Sequence, residues 1–390
     1  MHLSEKGQVI NPQAMTSIPI IDISPLVQLG DGSASSRHHL LQSEQLKRVV
    51  DQISEACKTF GFFAVTNHGV DPNIIAGAWG ASEDFFDSDP NVKGSVPMKP
   101  DYPYGYESRE SLGTERAASA SDVDVDEDAP SDLLADSKET FSIGPLDPAK
   151  SGMPPREFPR GAPAAFEPAL TQYFSVMESL ARVLFRGLAL ALRLDDASWF
   201  LRDGHFDGGH QCALRILNYP KLEYAKGEDG SEKKVHIRAG AHTDYGAMTI
   251  LKSGGPGLQL KLSSRGTNGV TGGGDSWVDV PHLADAFIIN LGDLMQRWTN
   301  DRWKSTLHRV IAVADDDDDG HETEIDIAFQ SARRQSIAFF VNMNGDATIF
   351  PFDSCVDDEH PPRYGPIKAS EHLIQRHRQS MAGSSKASEA

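Results

Sequence analysis

The second half of the chain is a succession of short strand-like runs separated by turn residues, and this density of strands restricts the fold more than any other feature. From Gln211 onward, runs rich in β-branched and aromatic residues alternate with clusters of Gly, Asp, Ser and Pro. Short strands at this spacing favour two antiparallel sheets closed on each other, the jelly-roll architecture. The first half instead has helical periodicity at residues 43–58 and a long amphipathic pattern at 166–194. The predicted fold class is mostly β with helical additions (α+β), built on a double-stranded β-helix (jelly-roll) core.

Composition divides the chain into four predicted segments. They are a disordered N-terminus (1–16), an N-terminal helical and β region (17–210) with an acidic insertion at about 109–137, the jelly-roll core (211–368), and a short helix with a disordered tail (369–390). Three further polar stretches interrupt the core, and each is predicted to loop out into solvent: 224–234, 263–276 and 315–332.

Charge and cysteine content restrict the partners and the compartment. A formal net charge of −19 argues against nucleic acid or an anionic membrane as a partner, because both need clustered Lys and Arg. Three cysteines are too few for a disulfide framework and favour a reducing compartment. The N-terminus has no apolar signal region, and no apolar run reaches the length of a membrane span. We therefore expect a soluble, cytoplasmic protein, and we also expect it to be monomeric.

Two histidines and one carboxylate form a candidate metal site: His242 and Asp244 in an H-x-D pair, and His308 on a later predicted strand. Side chains alternate along a strand, so His242 and Asp244 are predicted to share one face. A histidine in a strand is more often a packed core residue, and the H-x-D pair gains weight only through its combination with His308. Two histidines and a carboxylate suit non-haem Fe(II), while zinc stays open on ligand type alone. His68 and His282 are weaker candidates for a zinc site because neither has paired spacing.

Several segments in a fixed order resemble one family, the 2-oxoglutarate-dependent Fe(II) dioxygenases of the isopenicillin N synthase-like superfamily. The match runs from Ile18 almost to the C-terminus. Each segment is modestly specific, and their order makes the resemblance highly specific. The matching segments are SIPIIDISPL, GFFAVTNHGV, KETFSIG, LRILNYP, GAHTDYG, NLGDLMQRWTN, STLHRV and RQS.

The resemblance implies a role for each matched residue. His242, Asp244 and His308 take the iron-ligand positions, Arg334 and Ser336 take the positions that grip the distal carboxylate of 2-oxoglutarate, and Tyr219 takes that of a tyrosine contacting the same cosubstrate. Independently of the resemblance, a guanidinium fork matches a carboxylate, and residues 334 and 336 share a strand face.

The resemblance also implies the cofactors and the reaction. Fe(II), 2-oxoglutarate as cosubstrate and O2 are expected, with ascorbate as an accessory reductant. The expected reaction is oxidation of a small-molecule metabolite, foremost hydroxylation with release of succinate and CO2. Three alternatives stay open: an oxidative cyclase or desaturase on the same scaffold, an iron oxidase that does not use 2-oxoglutarate, and a catalytically silent binding protein.

Strand alternation suggests where a substrate would bind. If Tyr219 points into the barrel, Arg215 shares its face, and Phe340 shares the face of Ser336. Arg215 is therefore a candidate anchor for a substrate carboxylate, and Phe340 a candidate apolar wall. An equally good interpretation of Arg215 is a structural arginine paired with a buried acid. No motif in the sequence identifies the substrate.

Overall fold

The computed structural model describes residues 17–30, 36–99, 103–108, 138–202, 204–221, 234–262, 276–314 and 332–387. The predictions of a disordered N-terminus and an acidic insertion lie outside these ranges, as do nearly all residues of the three polar stretches. The helices are α1 (Ser24–Val27), α2 (Arg37–Leu40), α3 (Glu44–Thr59), α4 (Pro72–Phe86), α5 (Pro90–Lys93), α6 (Pro148–Ser151), α7 (Phe166–Ala191), α8 (Asp293–Trp298) and α9 (Ala369–Ala387).

The strands are β1 (Ile20–Asp22), β2 (Phe62–Thr66), β3 (Gly105–Glu107), β4 (Glu139–Ile143), β5 (Ala213–Tyr219), β6 (Lys234–His242), β7 (Met248–Ser253), β8 (Leu258–Leu262), β9 (Ser276–Asp279), β10 (Phe287–Leu291), β11 (His308–Ala314), β12 (Arg334–Val341), β13 (Thr348–Ile349) and β14 (Ile367–Lys368). They form an eight-stranded sheet in the order β1-β2-β10-β7-β12-β5-β4-β3, a four-stranded sheet in the order β6-β11-β8-β9, and a β13-β14 pair. Among these described strands all pairings are antiparallel except that of β2 with β1, the strand at one edge of the large sheet.

The large sheet is apolar on both faces, and each face packs against a different layer. Along β12, Ile337 and Phe339 contribute to a core shared with the helices, where the Phe339 ring lies edge-on to Phe174 of α7 with centroids 4.9 Å apart. Ala338 points to the opposite face and joins a second cluster with Leu260 of β8 and Val310 of β11. The second cluster therefore fills the space between the two sheets. The molecule is a mixed α/β protein with two layers around the large sheet.

The predicted helices form where the periodicity places them, with differences at their ends. Helix α3 begins after Ser43, whose hydroxyl accepts a hydrogen bond from the Leu46 amide. Helix α7 ends at Ala191, three residues before the predicted end, because Arg193 adopts a left-handed conformation with φ of 61°. Helix α9 extends to Ala387, so it includes most of the segment 369–390, which was predicted to be a short helix followed by a disordered tail. Once the first turn of a helix has formed, each further residue adds one backbone hydrogen bond for the conformational entropy of one residue, so a helix extends readily beyond the segment where it starts.

The prediction that His242 and Asp244 lie on one strand is wrong. The chain leaves the four-stranded sheet at the end of β6, turns through residues 243–247, and enters the eight-stranded sheet as β7. A continuous strand could not belong to both sheets, so the break follows from the change of layer. As a consequence, Asp244 lies in the turn rather than on the strand that carries His242.

Candidate metal and cosubstrate site

The two histidines of the candidate metal site come from neighbouring strands. His242 ends β6 and His308 begins β11, and the antiparallel register places them directly opposite each other with ring centroids 4.4 Å apart. Each ring hydrogen-bonds a backbone carbonyl through Nδ1, His242 to Gly240 at 2.7 Å and His308 to Thr306 at 3.0 Å. Because Nδ1 donates to those carbonyls, Nε2 of each ring keeps its lone pair available for a metal.

Asp244 completes the group from the turn that follows β6. Its Oδ1 lies 3.8 Å from Nε2 of His242 and 4.0 Å from Nε2 of His308. Its other oxygen, Oδ2, accepts hydrogen bonds from the Thr249 hydroxyl and the Asn290 amide. These two donors orient the carboxylate so that Oδ1 faces the histidines. The Asp244 carboxylate thus lies beside the His242 ring, although only His242 lies on the strand.

Burial sets the protonation states of this group. Burial, followed by the nearby His242, lowers the pKa of His308 from 6.5 to about 4. For Asp244, burial favours the protonated form, but the two histidines and the hydrogen bonds from Thr249 and Asn290 outweigh it, and its pKa lies below 3.8. Near neutral pH, His308 is therefore neutral and Asp244 ionised. These are the forms that bind a divalent metal.

Among the described residues, His242, Asp244 and His308 form the one group of three or more His, Cys, Asp or Glu side chains whose ligand atoms all lie within 4.8 Å of one another. A closed structural zinc site would need a fourth protein ligand. Three ligands, two imidazoles and a carboxylate, fit Fe(II) with open coordination positions. The structure does not bring His68 or His282 to this group. Both lie elsewhere. Burial lowers the pKa of each of these two histidines, and the nearby charge of Lys252 lowers it further.

The predicted cosubstrate residues lie together on the face of the large sheet that faces the small one. Arg334 is only 4% exposed, and its Nη1 donates to the Ser336 hydroxyl at 2.8 Å. Arg334 lies opposite Tyr219 in the β12–β5 register, and its guanidinium carbon is 5.0 Å from the Tyr219 ring centroid. Its Nη2 donates to the hydroxyl of Ser253 at 2.8 Å, a contact that the sequence prediction did not include.

Arg334 is a buried cation, and burial lowers its pKa. Within the described ranges no carboxylate lies at ion-pair distance from its guanidinium. A small pocket opens beside it and is lined in part by Ser253, Gly255, Leu258 and Ile288. A buried guanidinium without a protein carboxylate is costly, and an anionic ligand would offset that cost. This arrangement fits the distal carboxylate of 2-oxoglutarate.

The two candidate substrate residues also lie near each other. The guanidinium carbon of Arg215 is 5.6 Å from the Phe340 ring centroid, and its Nε donates to the Ser142 hydroxyl at 2.9 Å. Phe340 lies opposite Thr249 in the β12–β7 register, and Thr249 donates to Asp244. Arg215 and Phe340 therefore line a part of the large sheet that is next to the candidate metal ligands.

Strand β4 contributes polar groups to the same wall. Ser142 and Thr140 lie opposite Arg215 and Leu217 on β5 and are buried, and the Thr140 hydroxyl has no hydrogen-bond partner among the described residues. Lys138, just before β4, is 6% exposed, and its charge further lowers the pKa of His308. These residues were not predicted as site residues. The alternation of polar and apolar residues in KETFSIG was the available signal.

Comparison with known proteins identifies the family. The family described as non-haem dioxygenase in morphine synthesis N-terminal matches residues 18–163, and the 2OG-Fe(II) oxygenase superfamily matches residues 211–343. Homoarginine-6-hydroxylase 2-ODD-233 of Oryza sativa subsp. japonica is 26% identical over 92% of this chain and 96% of its own length. The 2-oxoglutarate-Fe(II) type oxidoreductase hxnY of Emericella nidulans is 29% identical over 94% of this chain and 91% of its own length.

A solved structure supports the same assignment. A full-length Neurospora crassa protein, solved in complex with alpha-KG and 5-formyluracil, superposes with a TM-score of 0.67 at 26% identity, covering 92% of this chain and 95% of that one. The fold, the His-Asp-His group and these relatives together define an Fe(II)-dependent oxygenase. The chain belongs to the 2-oxoglutarate/Fe(II)-dependent oxygenases, and it is an oxidoreductase that uses Fe(II), 2-oxoglutarate and O2.

Proposed function

We propose that the two facing sheets form a double-stranded β-helix in which His242, Asp244 and His308 hold Fe(II), and in which 2-oxoglutarate binds to Arg334, Ser336 and Tyr219. The reaction proposed is hydroxylation of a small molecule with release of succinate and CO2. One observation carries this proposal: three ligand atoms converge within 4.8 Å in the same inter-sheet space as a buried arginine that has no carboxylate partner in the described part of the chain.

Bound iron would supply activation of O2 for attack on a C–H bond. The protein residues prepare the site for it. His242 and His308 present Nε2 because their Nδ1 atoms are engaged by backbone carbonyls. Thr249 and Asn290 hold the Asp244 carboxylate. Arg334 orients the cosubstrate by its charge and its fork of donors, and the apolar cluster between the sheets limits access of water.

We propose that the substrate binds against Arg215 and Phe340 and carries a carboxylate or a similar acidic group. The relatives act on or bind chemically different molecules, homoarginine in one case and 5-formyluracil in another, so no single substrate is carried over from them. The support comes from the wall itself. The Arg215 guanidinium lies at the Phe340 ring, and Phe340 borders Thr249 beside the metal ligands.

The test is an anaerobic titration of the full chain with Fe(II) and then 2-oxoglutarate, followed by the visible charge-transfer absorption of the iron–2-oxoglutarate chelate. Wild type should develop the band, and His308→Ala should lose it because one of three ligands is gone. Exposed His360→Ala is the matched control and should keep it. Absence of the band in wild type would refute the cosubstrate assignment, and its persistence in His308→Ala would refute the ligand assignment.

Admission of O2 then distinguishes the possible reactions. Succinate release that depends on added substrate separates an enzyme from a silent binding protein. A product that gains one oxygen atom indicates hydroxylation, whereas loss of two hydrogen atoms indicates desaturation or ring closure. Omission of ascorbate in a parallel series shows whether the enzyme needs it as a reductant.

A further inference from the structure

The carboxylate ligand is carried by a turn that other parts of the chain hold in place. The backbone amide of Asp293, the first residue of α8, donates to the Asp244 carbonyl at 2.7 Å, and the next amide of α8 donates to Gly246. Gly292 lies so close that a Cβ there would collide with the carbonyl oxygens of Gly246 and Asp244. The turn therefore packs directly on the start of α8.

The far side of this turn is covered by α9, and Arg376 is the principal contact. Its Nε lies 2.6 Å from Oδ2 of Asp293, and its Nη2 donates to the Thr243 hydroxyl at 3.1 Å. The Thr243 hydroxyl in turn donates to Oδ2 of Asp293 at 3.3 Å. Three groups from the ligand turn, α8 and α9 thus form one closed set of contacts.

Two histidines of α9 extend this contact to Tyr245, the residue after the ligand. The His377 ring meets the Tyr245 ring edge-on with centroids 5.3 Å apart, and the buried His372 is hydrogen-bonded to the Tyr245 backbone. The Arg376 guanidinium carbon also lies 5.0 Å from the Tyr245 ring centroid. Helix α9 therefore contacts the residues on both sides of Asp244 and leaves the ligand itself to face the metal.

We propose that Arg376 is a positioning residue for the metal centre, and that α9 acts through Asp293 and Thr243 to hold the turn in the geometry that presents Asp244. The inference rests on the proposed binding of Fe(II) by His242, Asp244 and His308. Strand pairing already fixes the two histidines, whereas the turn that carries the aspartate is held by α8 and, in addition, by side-chain contacts from α9. Loss of these contacts lets the turn adopt other conformations. The Asp244 carboxylate can then reach the metal in a smaller fraction of them, which weakens metal binding.

The experiment compares Fe(II) affinity among Arg376→Ala, Arg376→Lys, Thr243→Val and the double variant Arg376→Ala/Thr243→Val. Exposed Arg378→Ala, on the same helix, is the matched control. We expect Arg376→Ala to weaken anaerobic Fe(II) binding about 10-fold, the size typical of lost contacts behind a metal ligand. Arg376→Lys should fall between Arg376→Ala and wild type because it keeps the charge. Arg378→Ala should bind as wild type does.

Two further readouts separate positioning from general destabilisation. The Fe(II) affinity of the double variant should equal that of whichever single variant binds Fe(II) more weakly, because both substitutions break the same set of contacts. Urea unfolding of the metal-free protein should remain a single cooperative transition in Arg376→Ala, as in Arg378→Ala. Equal Fe(II) affinity of Arg376→Ala and Arg378→Ala would overturn the proposal, as would fold-changes that multiply in the double variant. Failure of wild type to bind Fe(II) would instead refute the proposed function on which the inference depends.

Discussion

The candidate metal end and the candidate cosubstrate end of the site are built in different ways. At the cosubstrate end, Arg334, Ser336, Tyr219 and Ser253 all lie on β5, β7 and β12, three adjacent strands of one sheet. At the metal end, the ligands come from two strands of the other sheet and from a turn, and α8 and α9 support that turn. Strand pairing brings together the residues of the first end, whereas the second also requires helices packed against the ligand turn.

This difference predicts how each end responds to substitution. A change at the cosubstrate end should act locally on 2-oxoglutarate, because the neighbouring strands keep the remaining residues in register. A change behind the metal end should be transmitted to the ligands through the turn. The three predictions below test the contrast in order of expected effect.

Arg334→Met should raise the KM for 2-oxoglutarate about 100-fold, because it removes the buried charge proposed to pair with the distal carboxylate. Fe(II) affinity in the absence of 2-oxoglutarate should change little. The neighbouring Arg333→Met is the control, since Arg333 pairs with Asp87 outside the site. Succinate release measured against 2-oxoglutarate concentration checks the prediction. An equal rise in KM for both variants, or a parallel loss of Fe(II) affinity in Arg334→Met, would contradict a locally built cosubstrate end.

Acid should destabilise the metal-free protein through His308. The folded state holds the pKa of His308 near 4, below its ordinary 6.5, so the unfolded chain binds more protons between these values and stability is lost as pH falls from 6.5 towards 4. From pH 7 to pH 5 this group should cost about 2 kcal/mol of unfolding free energy. Asp244, whose pKa is lowered below 3.8, contributes no loss in that window.

Urea unfolding at pH 7 and pH 5 checks this prediction. His308→Asn should show a difference between the two pH values that is smaller by about 2 kcal/mol, because asparagine does not titrate there. His360→Asn serves as the control with an exposed histidine. The same pH dependence in His308→Asn and wild type would show that burial of this ligand does not set the acid sensitivity.

Arg215→Ala should raise the KM for an acidic substrate about 10-fold, consistent with loss of one charge-assisted hydrogen bond at a partly exposed site. The KM for 2-oxoglutarate should stay the same even though Arg215 and Tyr219 share a strand face. The measurement compares the KM of an acidic substrate with the KM of its amide analogue, in wild type and in Arg215→Ala. Wild type that does not prefer the acid, or a variant that keeps the preference, would assign Arg215 to a structural role.

The alternation of side chains predicted which residues of the candidate cosubstrate end share a strand face. It placed Arg334 with Ser336 and Tyr219 with Arg215, and the observed β12–β5 register brings these pairs together. Alternation could also have suggested Ser253, because it shares a face with Thr249 on β7. The resemblance of ordered motifs to a family supplied the roles.

The metal end was only partly predictable. The residue types indicated His242, Asp244 and His308, but the placement of His242 and Asp244 on one strand was wrong because the chain changes sheets at the ligand turn. The contact between Asp293 and Arg376 has no local signal, since neither residue lies in a periodic pattern that points to the other. Such contacts depend on how α9 packs, and a single sequence does not encode that packing in any short motif.

The position of α9 along the chain has a consequence for biosynthesis. Helix α9 follows every strand of both sheets in sequence order, so a growing chain can pair β5, β7 and β12 before Arg376 has been translated. The pocket around Arg334 would then exist in the nascent protein earlier than a firmly held Asp244. If α9 holds the turn as proposed, acquisition of tightly bound iron would be among the last events of maturation.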